Sequence, residues 1–382
     1  MPISSFPGLL PRLLSLGILL AALGCTDQEP GAGLYVFNGA SHSVLVWENL
    51  DKIYDAARGG RELPKPVRTL KSGKFNSLTL AWGGMAMDKT RNKLYLVSEE
   101  GKVFVIARPG NQNGDLSKST DITSFNLGNA SSDRLPSGSV FGQASVDTVH
   151  DVLFVQENAK DANSARVWHV QGASRIRDGA AVGKDHNTSE VNGDKWGAGV
   201  AAGQGHAFYA LFGGGDSIGD FTGTGLAGPR LRQGEPRTGG SWFPTHILGH
   251  GVNLLVGDKT RLPEAARYGA LAYDHQHHEL YVLTEPAAGT DPGRILVFGA
   301  GQFRGTINQA PRRTLERVPR KVRLIVHPGQ SNWLVGLGSD QGGGGRGQAS
   351  LYIWKEPSGE GRMMETPALA QGAEIRGVAF GD

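Results

Sequence analysis

A single cysteine stands among 382 residues, so the chain cannot close an internal disulfide. Outside residues 13–23 there is no long apolar run, and that excludes a domain built from membrane-spanning helices of about 20 residues. Neither sign of charge prevails: 39 Lys and Arg against 36 Asp and Glu leave a formal +3. The basic residues are scattered rather than blocked, which argues against nucleic acid as a partner. Long helical patterns are also scarce. The apolar runs last four to six residues, are rich in Val, Leu, Ile and Tyr, and end at Asp, Gly or Pro, as short strands do.

What the chain has in excess is glycine, 57 residues with 19 prolines, which suits a fold of many tight turns. The stretch from Tyr268 to Phe298 shows the unit: Tyr-Gly-Ala-Leu-Ala-Tyr-Asp, a His-rich turn, Glu-Leu-Tyr-Val-Leu-Thr, a Gly/Pro loop, then Arg-Ile-Leu-Val-Phe. This reads as an antiparallel meander. The slot held by Asp274 recurs at Asp88, Asp147, Ala202, Pro328 and Asp382, so that successive slots lie 59, 55, 72, 54 and 54 residues apart. Short strands repeating at this period are the mark of propeller blades. The long spacing is assigned to an insertion over Gly213–Gly240. The repeated Asp is read as scaffold, its carboxylate accepting backbone N–H bonds to start each hairpin.

The two ends complete each other. Arg376–Asp382 is a first strand with nothing after it, and Gly33–Asn38 is a second strand with nothing before it. Joining them gives a sixth blade, with its second strand at Leu34–Phe37 and its third at Val44–Trp47, and leaves no strand edge open. The fold expected is all-β: a six-bladed β-propeller over residues 33–382, closed by pairing of the N- and C-terminal strands.

Ahead of it, residues 1–24 carry one positive charge at Arg12, an apolar core of about eleven residues, too short for a permanent span, and Gly24 just before Cys25. Ala22-Leu-Gly-Cys25 resembles the lipobox of bacterial lipoproteins, with Ala22 where Leu is usual and Leu23 where a small residue is typical. The resemblance implies cleavage before Cys25, lipid on that residue, and a membrane partner reached through the anchor alone. Thr26 follows the cysteine, so outer-membrane or cell-surface placement is expected; residues 25–32 form the tether. An ordinary secretory signal is the alternative.

The chemical motifs are weak. Gly215-Asp-Ser-Ile-Gly219 matches G-x-S-x-G, but no helix follows to make a nucleophile elbow. His246 and His250, and the cluster His275, His277 and His278, are read as solvated histidines rather than metal ligands. Asp216 with Asp220, and Asn111, Asn113 and Asp115, are read as turn formers rather than calcium ligands. No metal, cofactor or catalytic residue is assigned.

Asp88-Lys-Thr-Arg-Asn-Lys-Leu-Tyr-Leu and Asp274-His-Gln-His-His-Glu-Leu-Tyr-Val resemble the repeats of six-bladed propellers of the NHL, TolB-like and gluconolactonase kind. That resemblance covers the mature chain and implies the fold, whereas propellers host binders, scaffolds and hydrolases alike. The lactonase branch holds a metal in the channel by inward Glu, Asn and Asp, a set the inner strands here do not display. A monomeric, non-catalytic envelope binder is therefore expected, with an envelope protein, polysaccharide or small anionic ligand as partner. A lactonase-like or other hydrolase with a channel metal is the alternative.

Six residues before each slot stand Trp82, Phe141, Trp196, Tyr268, Val322 and Arg376, followed by glycine in five copies. An aromatic entering each inner strand would rim the end of the channel where first strands begin, with Arg323 and Arg376 adding positive charge. Trp82, Phe141, Trp196, Tyr268, Arg323 and Arg376 are thus the candidate ligand rim. Wedging of the rings between blades, for packing only, is the competing reading.

Overall fold

The hairpins that organise the chain begin at buried acids. In the computed structural model, Asp147 Oδ1 accepts from the backbone N–H of Val149 (2.9 Å) and His150 (3.3 Å), Asp274 Oδ1 from Gln276 (2.8 Å) and His277 (3.0 Å), and Asp88 Oδ1 from Arg91 (3.0 Å). Asn38 does the same for Ala40 and Ser41. Four residues after each of these, His42, Asn92, Asp151 and His278 take positive φ, between 46° and 56°. Asn, Asp and His are the side chains that best tolerate this left-handed region. The scaffold reading of the repeated Asp holds in this geometry, and a further feature joins it. The side chain three residues on returns to the same carboxylate: Arg91 at 3.1 Å, His150 at 2.8 Å and His277 at 2.7 Å.

The structure describes residues 33–116, 120–128, 139–159, 164–183, 188–191, 196–203, 206–212, 217–222, 246–249, 267–285, 292–299, 311–327, 333–339, 349–355, 362–366 and 374–381. Cys25 and the leader and tether assigned to residues 1–32 lie outside them. Among the described residues the strands form six sheets. The first joins the chain ends: β1 (Gly33–Asn38) lies between β2 (Ser43–Trp47) and β26 (Ile375–Gly381), with β3 (Arg68–Lys71) beyond β2. Pairs Leu34↔Phe380, Tyr35↔Ala379 and Val36↔Val378 set the expected terminal splice in register.

The second sheet runs outward through β4 (Leu80–Asp88), β5 (Lys93–Ser98), β6 (Lys102–Ala107) and β8 (Ile122–Leu127). The third holds β9 (Ser139–Asp147), β10 (Val152–Ala159), β11 (Ser164–Gln171) and β13 (Thr188–Val191). The fourth holds β14 (Trp196–Gly203), β15 (His206–Phe212), β16 (Ser217–Thr222) and β17 (His246–Gly249). The fifth holds β18 (Arg267–Asp274), β19 (Glu279–Glu285), β20 (Gly293–Gly299) and β21 (Arg313–Val318). The sixth holds β22 (Val322–Val326), β23 (Trp333–Ser339), β24 (Ala349–Lys355) and β25 (Arg362–Thr366). Side chains are described on five of the innermost strands; of β14, only that of Ala201 is. This is an all-β propeller, its innermost strands packed in sequence from β26 to β4, β9, β14, β18 and β22.

Two short strands depart from the expected pattern. β7 (Gly114–Asp115), read from the sequence as part of a Gly/Asn turn, pairs in parallel with β3 of the preceding sheet. β12 (Ala180–Val182) likewise pairs in parallel with β8. Each is a segment from the next unit covering the outer edge of the one before, where an open edge would otherwise invite association. The assigned Gly213–Gly240 insertion is corrected in part: its residues 217–222 are strand β16, and β16 pairs with β15 and β17.

The core lies between sheets. Tyr35, Tyr95 and Tyr281, all on second strands, and Trp168 and Trp354 on third strands are completely enclosed. One apolar cluster spans the first, fifth and sixth sheets through Val36, Phe380, Leu324, Leu337 and Tyr281. Helix α1 (Leu50–Arg58), capped by Asn49 accepting from Lys52 N–H, reinforces that junction. Its Tyr54 ring stands 5.3 Å from Trp333 at 65°, and Lys355 lies over both rings and 3.4 Å from Asp51.

Candidate binding cup

The axial channel is closed at one end and open at the other. Where the inner strands begin, Gly83 has φ +74°, and a Cβ there would fall 2.8 Å from Leu324 Cδ1 and 3.3 Å from Gln143 Cα. Glycine is therefore favoured by the left-handed backbone, and a larger residue would also have to displace the Leu324 side chain. Trp82 Nε1 donates to Arg323 O at 3.5 Å, tying β4 to β22. Gln143 Nε2 donates to Leu271 O at 2.8 Å while Leu271 N–H donates to Gln143 Oε1 at 3.4 Å, tying β9 to β18. These ties join strands that are not neighbours in the ring.

Toward the Asp-anchored turns the strands part, leaving a cavity of about 320 Å³. All six innermost strands line it: Met87 from β4, Ser145 from β9, Ala201 from β14, Tyr273 from β18, Ile325 from β22 and Phe380 from β26. Its mouth carries Lys89, Thr90, Thr148, Val149, His275 and His327. Apolar side chains such as Met87, Ala201, Ile325 and Phe380 share the wall with the polar Ser145, Tyr273 and Gln143, and Lys89, Thr90 and Thr148 stand at the mouth, so the cup offers both apolar and polar surface.

The electrostatics of the mouth follow from burial. His275 is pushed below the ordinary histidine range by desolvation, opposed by Asp147 and Asp274 and reinforced by His278 and Lys89. His327 is pushed down to about 4, again chiefly by burial against the pull of Asp274. Its Nε2 is 3.3 Å from Asp274 Oδ2, and its ring stacks on Tyr281 with centroids 5.6 Å apart and planes 16° apart. Burial likewise raises the Tyr281 hydroxyl, which donates to Glu279 Oε2 at 3.1 Å. Asp88 is raised by burial against the opposing pull of Arg91. His327 is thus a neutral imidazole at pH 7, a hydrogen-bonding group rather than a cation.

Of the proposed aromatic rim, the side chains of Phe141, Trp82 and Arg376 are engaged within the protein. Phe141 is 1% exposed, its centroid 6.2 Å from that of Trp168, so it belongs to the packing between sheets. Trp82 is half-buried and packs on the core around Leu324 while bonding Arg323 O. Arg376 holds Glu99 and Glu374, each at 2.6 Å, and ties β26 to the β5–β6 turn. Trp196 and Tyr268 sit near the starts of β14 and β18, with side chains outside the described ones. The aromatic–glycine column thus marks, at Trp82-Gly83, where the strands converge and close the channel.

Among the histidines, the solvated reading is corrected for His275, which lines the cup, whereas His277 is exposed while pairing with Asp274. His246 lies on strand β17, and His250 is outside the described residues. Asn113 Oδ1 accepts from Thr69 N–H at 3.3 Å, and Asp115 lies in β7, so both serve the parallel latch. Ser217 opens strand β16 rather than a helix. Among the described residues, no group of three or more His, Cys, Asp or Glu is placed to hold a metal. Sequence reasoning missed Gln143 and His327. The signal available for the first was a glutamine at an inner-strand position held in the other copies by Gly84, Ala198, Ala270, Leu324 and Val378.

No protein-family model matches the chain, and no curated protein matches its sequence. Among solved structures it is similar to the β-propeller domain of Cps50 (Swd1) from Myceliophteria thermophila, at 10% identity, covering 84% of this chain and 96% of that one with a TM-score of 0.45. It is also similar to TolB from Acinetobacter baumannii, at 12% identity, covering 92% of this chain and 67% of that one with a TM-score of 0.48. Both are likenesses of fold; the assignment as a propeller rests on the sheets and their shared axis.

Proposed function

We propose that the chain is an exported, lipid-anchored binding protein: a six-bladed ring, tethered through Cys25, that holds a ligand in its axial cup without catalysing a reaction. The observation that carries the binding reading is the cup itself, walled by all six inner strands and closed at one end. The same arrangement supports a count of six blades, one inner strand for each. The acids around the mouth are committed to structure. Asp88, Asp147 and Asp274 are 0–1% exposed and engage their own turns, which suits scaffold better than acid–base chemistry. Export and anchoring are supported by the leader and the Cys25 motif, with Thr26 favouring the outer membrane.

A saturation-transfer NMR screen of neutral, anionic and cationic fragments tests the binding reading. Wild type should bind a subset that a cup-filling Ser145→Trp variant loses; binding unchanged by Ser145→Trp counts against the cup. For the anchor, Cys25→Ser should move the protein from the membrane pellet to the soluble fraction. Retention in the pellet would refute it.

A further inference from the structure

Each innermost strand stands at the end of its sheet, hydrogen-bonded to a neighbouring strand on one side. Its other edge faces the axis, and among the described residues no strand pairs it. Backbone N–H and C=O groups on such an edge require partners from side chains, water or a ligand. At the floor of the cup the chain supplies one itself. The Gln143 amide accepts from Leu271 N–H and donates to Leu271 O, reaching over the intervening β14. One amide thus reads both polar groups of one residue, as the peptide of an added strand would.

A carboxylate in that place could only accept and an ammonium could only donate, whereas an uncharged amide does both. Above Gln143 the inner strands continue past Ala86, Ala144, Ala272 and Ile325, whose side chains cannot hydrogen-bond, with Ser145 and Tyr273 as polar side chains among them. The volume, about 320 Å³, lies at the small end of the range for small-molecule sites. Building on the binding reading above, we propose that the cup recognises an uncharged amide, a carboxamide or N-acyl group on a short apolar body, paired to inner-strand backbone as Gln143 is to Leu271. Lys89 at the mouth makes a carboxylate the competing ligand.

The test uses three probes sharing one apolar body, pentanamide, pentanoate and pentylamine, titrated into the folded protein by calorimetry and saturation-transfer NMR. Pentanamide should bind at least about tenfold tighter than either charged probe, as expected when a second hydrogen bond is made in a dry site. A complementary arm uses Gln143→Ala. Free propionamide, the missing side-chain amide, should raise the melting temperature of that variant but not of wild type, and propionate and propylamine should do neither. Equal or tighter binding of pentanoate or pentylamine, lost in Ser145→Trp, overturns the amide assignment and leaves the binding reading standing. Silence of all three probes overturns both. If Gln143→Ala does not fold, the wild-type ranking decides alone.

Discussion

The two ends of the channel are built from the same six strands, yet one is shut and the other open. At the shut end Gly83 packs against the Leu324 side chain and Gln143, and side chains bond across the axis from β4 to β22 and from β9 to β18. At the open end Asp88, Asp147 and Asp274 each accept from the backbone of their own turn, so among the described residues β4, β9 and β18 finish in hairpins that make no bond across the axis, and the further contact of Asp274 is with His327 of the adjoining sheet. Where polar groups are satisfied across the axis the ring closes; where they are satisfied locally it stays open.

This contrast can be broken most severely at Gly83. A valine there must adopt a left-handed backbone and push against Leu324 and Gln143. Left-handed strain of about 1–2 kcal/mol and overpacking of about 1–3 kcal/mol combine to about 2–5 kcal/mol. Thr90→Val, on the exposed turn at the open end, should stay within about 0.5 kcal/mol. Urea denaturation of the pair measures both, and equal losses would show that the two ends are under the same constraint.

Acid sharpens the contrast from the other side, because two histidines with lowered pKa, His275 and His327, line the open end. His327 titrates near 4 when folded and near 6.5 when unfolded, so between those values the unfolded chain binds the proton and the native state does not. Stability should therefore fall as pH drops from about 6.5 to 4, by roughly 3 kcal/mol from this residue, whose side chain is 0% exposed. The lowered pKa of His275 acts with the same sign. A His327→Gln variant should show a flatter stability profile over this interval. A profile as steep as that of wild type would remove His327 from the account.

The strands, the terminal splice and the Asp turns were legible because they repeat: a hairpin acid at a fixed slot is a local matter, and local chemistry survives in the sequence. The cup was not legible. Gln143 meets Leu271 across 128 positions and Trp82 meets Arg323 across 241, contacts that no periodicity carries. The aromatic–glycine column did record close approach, but a ring beside a glycine reads alike whether it faces a ligand or a neighbouring sheet. Burial of Phe141 selects the second for that position. The parallel latches β7 and β12 escaped for a different reason. Two or three residues are too few to carry a strand pattern, and their pairing partners lie in another unit.

The smallest effect expected is the most direct test of what the aromatic column does. Trp82→Phe keeps an aromatic body against the core but removes the indole N–H that reaches Arg323 O at 3.5 Å, a long bond worth about 0.5–1 kcal/mol. If Trp82 belongs to the closure, the variant should lose that much stability and bind pentanamide as wild type does, since the cup opens at the far end. If Trp82 is instead a stacking platform for an external ligand, stability should hold while the loss of indole surface weakens a sugar or cationic partner. Parallel urea melts and probe titrations separate the two. Unchanged stability with altered binding would return the ligand face to the strand-start end of the ring.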